Sequence, residues 1–329
     1  MERMAEQVRQ GKILVSDGGW GSFLISRGLR ERECPELWCL EHPDIVREIA
    51  EKYLEAGADI VMTNSFGGTR LKLDQYGLGA RAAEINEAAA KLSREAAGPD
   101  KHVMASIGPC GKFLMMGDIT PEELYDAFRE QAMALEKGGA DACSVETMGD
   151  IQEAVIAVQA IRDNTNLEIV ASFTFAIPSP EGWRTHMGVT TGQMAVAMLE
   201  AGAHILGANC SVGPAEMVEI IGELRAVAPD TPLLVHPNAG QPELDANGCI
   251  TYPLGPDAFS EFVPRLVQAG AGIPISAQSF WAASGLAHFT RAVNVSRVGL
   301  SGFAAYMLFR LRNTFWYVAA YFSWSSRVT

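Results

Sequence analysis

The sequence is short of positive charge. Its 26 lysines and arginines stand against 39 acidic residues, a net charge of −13 over 329 residues. Phosphate binding needs a basic surface, so this balance argues against a nucleic-acid partner. Long apolar runs are missing too. The most apolar stretch, VGLSGFAAYMLFRLRNTFWYVAAYFSW (298–324), is interrupted by Arg310, Arg312 and Asn313. It never reaches the roughly 18 uninterrupted residues of a spanning helix, and a membrane anchor is not expected. The opening MERMAEQVRQGKILV has charges where a secretory signal would carry an apolar core. Cysteine is sparse: Cys34, Cys39, Cys110, Cys143, Cys210 and Cys249 cannot make a dense disulfide framework in so long a chain. Reduced thiols in a cytoplasm are the expectation.

What is present suits a compact protein: 48% of residues are hydrophobic and 20% charged. One pattern recurs, EAGADIVM from residue 55, KGGADACSV from 137, EAGAHILGA from 200 and QAGAGIPI from 268. Each follows an amphipathic segment and precedes an apolar one. A helix that ends at a glycine, in the left-handed conformation after its last turn, and runs at once into a strand gives this pattern. The copies are far enough apart for about two strand–helix units between them, at about 30 residues per unit. About eight units close a (β/α)8 TIM barrel, with a doubly wound open sheet as the alternative.

The expected strands are KILVSD (12–17), DIVMTN (59–64), HVMASIG (102–108), DACSVE (141–146), LEIVASFTF (167–175), HILGAN (204–209), PLLVHPN (232–238) and an eighth near 272–276. Several are continuously apolar, as parallel strands covered on both faces are. Helices are expected from Pro43, from Pro214, and after Thr120, whose spacing to Glu123 is that of a capping box.

Barrel chemistry gathers at the C-terminal ends of the strands. Those ends read Asp17 in DGGWG, Thr63-Asn64-Ser65, IGPCG at 107–111, Glu146-Thr147, Asn209-Cys210 and His236-Pro237-Asn238. Each has a plainer reading. Asp17 can be a turn former, Glu146 a helix cap, and His236 a hydrogen-bonded structural residue. Cys143 is expected in the core, and Met115 and Met116 as cover for the barrel mouth. The spacing of Cys34 and Cys39 is a weak zinc signal with no matching pair.

These motifs carry a resemblance. VSDGGWGSFL, ECPELW, EHPDIVREIAEKYLEAGADIVMTNSFGG, GANC and HPNAGQP resemble the homocysteine S-methyltransferase family over roughly residues 10 to 272. The resemblance implies a zinc-dependent transfer of a methyl group to the thiol of homocysteine or a related thiol. Zinc would be held by three cysteine thiolates, of which Cys210 is one. Only a thiolate attacks a methyl group, and zinc coordination deprotonates a thiol that is otherwise protonated at neutral pH. The resemblance also implies Asp17 and Glu146 at the substrate ammonium, with Asn209 beside Cys210. Thr63 and the backbone amides around Gly18 and Gly19 would lie near its carboxylate. The implied donor is a corrinoid on a separate protein or a methylated folate.

The pattern then breaks. A Gly-Gly-Cys-Cys-Gly motif should end the eighth strand, but the chain reads LVQAGAGIPISAQSFWAASGLAHF, with no cysteine after Cys249. From Phe262 to Thr329 there is no Asp, Glu or Lys, although all 39 acidic residues lie before it. The expectation is a barrel over 1–272 with an atypical last strand–helix unit, and an anomalous tail over 273–329. A reading-frame change near Ile273 or Pro274 explains the tail; a natural divergent C-terminus is the alternative. The functional alternatives are a non-catalytic amino-acid-binding barrel, a defective gene product, or an unrelated barrel enzyme such as a metal-dependent aldolase.

Overall fold

The computed structural model describes residues 1–241, 243–244 and 250–274. Seven parallel strands follow one another in sequence order around a sheet: Ile60–Met62, His102–Ile107, Ala142–Met148, Glu168–Phe173, Ile205–Asn209, Leu233–His236 and Ala271–Pro274. The extended segment 14–17 joins the two edges. Leu14 N–H donates to the Gly272 carbonyl (3.0 Å) and Ser16 N–H to that of Pro274 (3.3 Å). On its other side Ile60 N–H donates to Val15 (3.1 Å) and Asp17 N–H to Ile60 (3.0 Å). With both edges bonded the sheet is closed, and the open doubly wound alternative falls. The fold is an α/β barrel of the (β/α)8 kind.

The strands are shorter than their apolar runs suggest, because polar loop residues such as Thr63 and Asn64 follow the last ladder pair. Alternation within them separates two cores. Ile60, Met62, Met104, Ala142, Val170, Ile205, Leu234 and Ile273 pack together inside the barrel, while Val61, Val103, Ala105 and Cys143 face the helices. Helices Pro43–Glu55, Pro121–Lys137 and Pro214–Val227 all start at proline, and the Thr120–Glu123 capping box is formed. The glycines of the repeated pattern, Gly57, Gly139, Gly202 and Gly270, all have φ between 104° and 117°. That left-handed region is strained for a residue with a Cβ, so the repeat marks a backbone requirement.

The bottom of the barrel is plugged by helix Met4–Arg9, whose Met4 is fully buried. Glu168 at the start of its strand accepts the Met4 and Ala5 N–H groups (2.7 and 2.9 Å), satisfying donors that a helix start leaves open. The plug sits so close to the last strand that a Cβ on Gly272 would lie 2.3 Å from Val8 Cγ1. The expected boundary at 272 therefore cuts through a strand. Ile273 is buried and pairs with Leu234, and Pro274 pairs with Val235. The tail from residue 275 lies outside the described residues. No helix among the described residues is long and apolar enough to cross a membrane.

Candidate active site

At the C-terminal end of the barrel lies a cavity of about 300 Å³. Gly18, Gly19, Thr63 and Glu146 line it, together with Trp20, Glu36, Asn64, Ser65, Phe66, Ser106 and His236 among others. Among the described residues neither lysine nor arginine contributes to its wall. Asp17 lies behind the wall, fully buried at the end of the 14–17 segment. Its Oδ2 accepts from Met62 N–H (2.7 Å) and Trp20 Nε1–H (2.8 Å), and its Oδ1 from Ser16 Oγ–H (3.2 Å). These bonds favour the ionised form, but burial outweighs them and pushes the Asp17 carboxyl up to about 7. Gly19, at the start of helix Trp20–Ser26, is fixed by the Tyr53 hydroxyl on its carbonyl (3.1 Å).

Glu146, in strand Ala142–Met148, is 5% exposed. Burial pushes its carboxyl up to about 7; the Ser106 hydroxyl, donating to Oε1, lowers it, and the Asp17 charge raises it further. Asp17 behind the wall and Glu146 in it are thus two buried carboxyls that resist ionisation, beside a cavity whose described lining holds no lysine or arginine. A cation close to such a carboxyl favours its ionised form.

Asn209, assigned by resemblance to the site, is fully buried and forms part of its frame. Its Oδ1 accepts from Thr147 N–H (3.0 Å) and Ser172 Oγ–H (2.7 Å), and its Nδ2 donates to Thr147 Oγ1 (2.8 Å). Thr147 has φ of 59°, an unfavourable value for a β-branched residue, and the ladder shifts register there. Asn209 therefore holds the strained residue that follows Glu146. Thr63 is also committed. It accepts from Ser106 N–H (3.1 Å) and shares a short hydrogen bond with Ser65 Oγ (2.5 Å). Ser65 already donates to the Ser106 carbonyl (2.7 Å), so the Thr63 proton goes to Ser65.

Cys210 follows Asn209 with φ of 65°, and Ser211 repeats that conformation at 64°. Burial pushes the Cys210 thiol up, and the Glu146 charge adds to it, so at neutral pH it carries its proton. Cys34, Cys39, Cys110 and Cys143 are buried elsewhere, Cys143 within the core as expected. Among the described residues no three His, Cys, Asp or Glu side chains come together as a metal site. The donors that the described residues place around Cys210 do not make up a three-thiolate zinc centre.

Sequence reasoning missed Ser106 and Glu36. Ser106 sat unremarked within an apolar run. Glu36, in the ECPELW motif, accepts Gly67 N–H (2.7 Å) and the Cys34 thiol (3.4 Å). A Cβ at Gly67 would lie 2.9 Å from its Oε1, so a side chain there would push the Glu36 carboxylate off its bond to the Gly67 N–H. Asn64 Nδ2 donates to the Pro35 carbonyl (2.7 Å), locking the same two loops together. Met115 and Met116 do not cover the mouth: they stand 74% and 75% exposed on a short turn after the third strand position.

Comparison with known proteins decides the lineage. The homocysteine S-methyltransferase family model matches residues 14–285. The chain belongs to the homocysteine S-methyltransferase family. Methionine synthases of Mycobacterium tuberculosis and Mycobacterium leprae are 33% and 32% identical to it over 265 residues. That match covers 76% of this chain and 22% of each relative, so the chain spans about a fifth of their length. The Escherichia coli homocysteine methyltransferase MmuM superposes in its oxidised form with a TM-score of 0.71 at 21% identity, covering 88% of this chain and 99% of that one. Its metallated form gives 0.69 at 21% identity, over 86% and 97%. The carboxyl transferase domain of Rhizobium etli pyruvate carboxylase shares the fold at a TM-score of 0.52 and 17% identity. The family match runs on through Ala271–Pro274, beyond the 272 boundary read from the sequence.

Proposed function

We propose that this barrel binds homocysteine or a closely related thiol amino acid, the acceptor half of methyl transfer to sulfur. We propose further that transfer itself is impaired by loss of two zinc ligands. The observation that carries the reading is the pairing of Asp17 and Glu146 around one cavity. Their carboxylates take the substrate ammonium. The backbone amides near Gly18 and Gly19 serve the carboxylate; Thr63, whose proton is committed to Ser65, supports the wall instead. The thiol then extends toward Cys210.

Zinc, when bound in this family of reactions, supplies the thiolate. Here the described residues offer Cys210 alone, and the chain has no cysteine beyond Cys249. No step through the metal follows from these residues. The donor is proposed to be a methylated folate or a corrinoid on a separate protein. The exposed apolar side chains of Phe66, Phe113, Met115, Met116 and Met187, on loops that follow barrel strands, support approach of a partner from that face. The sparse cysteines, with no disulfide among the described residues, support the cytoplasm as the site.

The test is titration calorimetry with homocysteine, on protein stripped of metal and again with added zinc, beside a methyl-transfer assay with each donor. Binding without transfer in both states is the expected result. Transfer with stoichiometric zinc would mean a rebuilt metal site, and absence of binding under both conditions would overturn the reading.

A further inference from the structure

The backbone ladder between strands Ile60–Met62 and His102–Ile107 stops at the Met62–Met104 pair, with Thr63 N–H on the Met104 carbonyl (3.2 Å) as its last bond. Beyond it the chain at residue 63 turns away, which would leave the Ser106 N–H and C=O without partners on that side. Two side chains replace the missing ladder. Thr63 Oγ1 accepts the Ser106 N–H (3.1 Å), Ser65 Oγ donates to the Ser106 carbonyl (2.7 Å), and a 2.5 Å bond joins the two hydroxyls. The ring holds the Ser106 main chain at both of its polar groups. All of its members are buried, which matters because a buried hydroxyl left without a partner is destabilising. The freedom left to Ser106 is its own hydroxyl, and that donates to Glu146 Oε1.

We propose that Ser106 is the positioning residue for Glu146, and that Thr63 and Ser65 act through it by holding its main chain. The assignment rests on the reading of Glu146 as a ligand for the substrate ammonium. It removes Thr63 from contact with the substrate. A serine hydroxyl donated to a carboxylate favours the charged form, so Ser106 does two things at once. It aims Oε1 and it helps Glu146 ionise when a cation arrives. Other groups share the surroundings of Glu146. Asp17 raises it by like charge, and Cys143 on its own strand and Cys210 from the loop after Asn209 feel its charge. His236 and Glu36 line the same cavity.

The test follows the Glu146 carboxyl carbon by carbon-13 NMR across pH in ligand-free protein, with Glu146→Gln identifying the resonance. Homocysteine titrations at about pH 7 and pH 9 run alongside. Ser106→Ala should move the Glu146 midpoint upward and weaken homocysteine binding roughly tenfold at pH 7, the worth of one hydrogen bond to a charged group. The loss should be smaller at pH 9, where Glu146 is ionised in both proteins and only its aim is lost. Thr63→Val should shift the midpoint the same way and Thr63→Ser should not. These variants decide the matter if Ser106→Ala fails to fold. An unmoved midpoint in both Ser106→Ala and Thr63→Val, or an equal loss of affinity at both pH values, would overturn the proposal. If the wild type binds no homocysteine, the functional reading fails, and the NMR arm still decides the role of Ser106.

Discussion

The two sides of the barrel mouth are built to different standards. On one side the 14–17 segment, the 63–68 loop, Ser106 and Glu146 are tied by hydrogen bonds in which nearly every polar atom has a named partner. Asp17 takes three donors, Ser106 is held at both main-chain groups, and Glu36 and Asn64 lock two loops together. On the other side stands Cys210, a half-buried thiol in a left-handed conformation, after a strand that lies two places from Ala271–Pro274. Proline cannot donate to a ladder and is normally kept out of central strands. Pro274 stands where the sheet closes, between Leu233–His236 and the 14–17 segment, with its carbonyl accepting the Ser16 N–H. On the proposed reading, recognition of the amino acid and activation of its sulfur are separable in this fold.

The sharpest way to break that comparison is Glu146→Gln, which removes one of the two charges proposed to receive the ammonium. Homocysteine affinity should fall by about a hundredfold or more, the loss of a buried charged hydrogen bond, measured by calorimetry. A loss under threefold would show that the carboxylate pair is not the anchor. Next in size is the closing end: Gly272→Ala pushes a Cβ against Val8 and should lower stability by about 1–3 kcal/mol in chemical unfolding, while leaving the affinity per folded molecule unchanged.

A pH series separates the two sides further. The folded-state carboxyls of Asp17 and Glu146 sit near 7, above their ordinary values of 3.8 and 4.5. The folded protein therefore keeps protons that the unfolded chain has already released. Ligand-free stability from these groups is greatest below about pH 4 and declines as pH rises toward about 7. Homocysteine supplies the counter-charge, so its stabilising effect should grow across the same interval, seen as diverging melting temperatures with and without ligand. A ligand effect constant from pH 5 to 8 would contradict the pairing. The smallest expected effect is Cys210→Ser. It should change homocysteine affinity less than about twofold, because Cys210 is absent from the cavity wall, and should abolish whatever zinc the protein retains.

Much of this was legible in the sequence, for identifiable reasons. The four repeated glycines report a backbone angle that other residues tolerate poorly, so they marked helix ends and strand starts reliably. Asp17, Gly18, Gly19, Thr63 and Glu146 stand where apolar runs stop, and the fold brings all but Asp17 to the wall of one cavity, with Asp17 buried behind it. Roles were harder to read than places. Thr63 has a hydroxyl suited to a carboxylate, but where its proton goes depends on Ser65 and Ser106, which meet it only once the second and third strand positions pair. Asn209 looked like a substrate contact because it precedes Cys210, whereas its amide is taken up by Thr147 and Ser172. Ser106 was hidden because a small hydroxyl residue inside HVMASIG does not disturb an apolar pattern. Met115 and Met116 were read as cover because methionine favours buried sites, and a short turn after the third strand position leaves them in solvent instead.

The measurement that tests the central claim most directly is a homocysteine titration of chelator-treated protein, with zinc content determined on the same sample. One-to-one binding at a metal content near zero, lost in Glu146→Gln, is the result this account predicts. Binding that appears only when stoichiometric zinc is restored would contradict it, because the amino-acid pocket and the metal site would then be one unit.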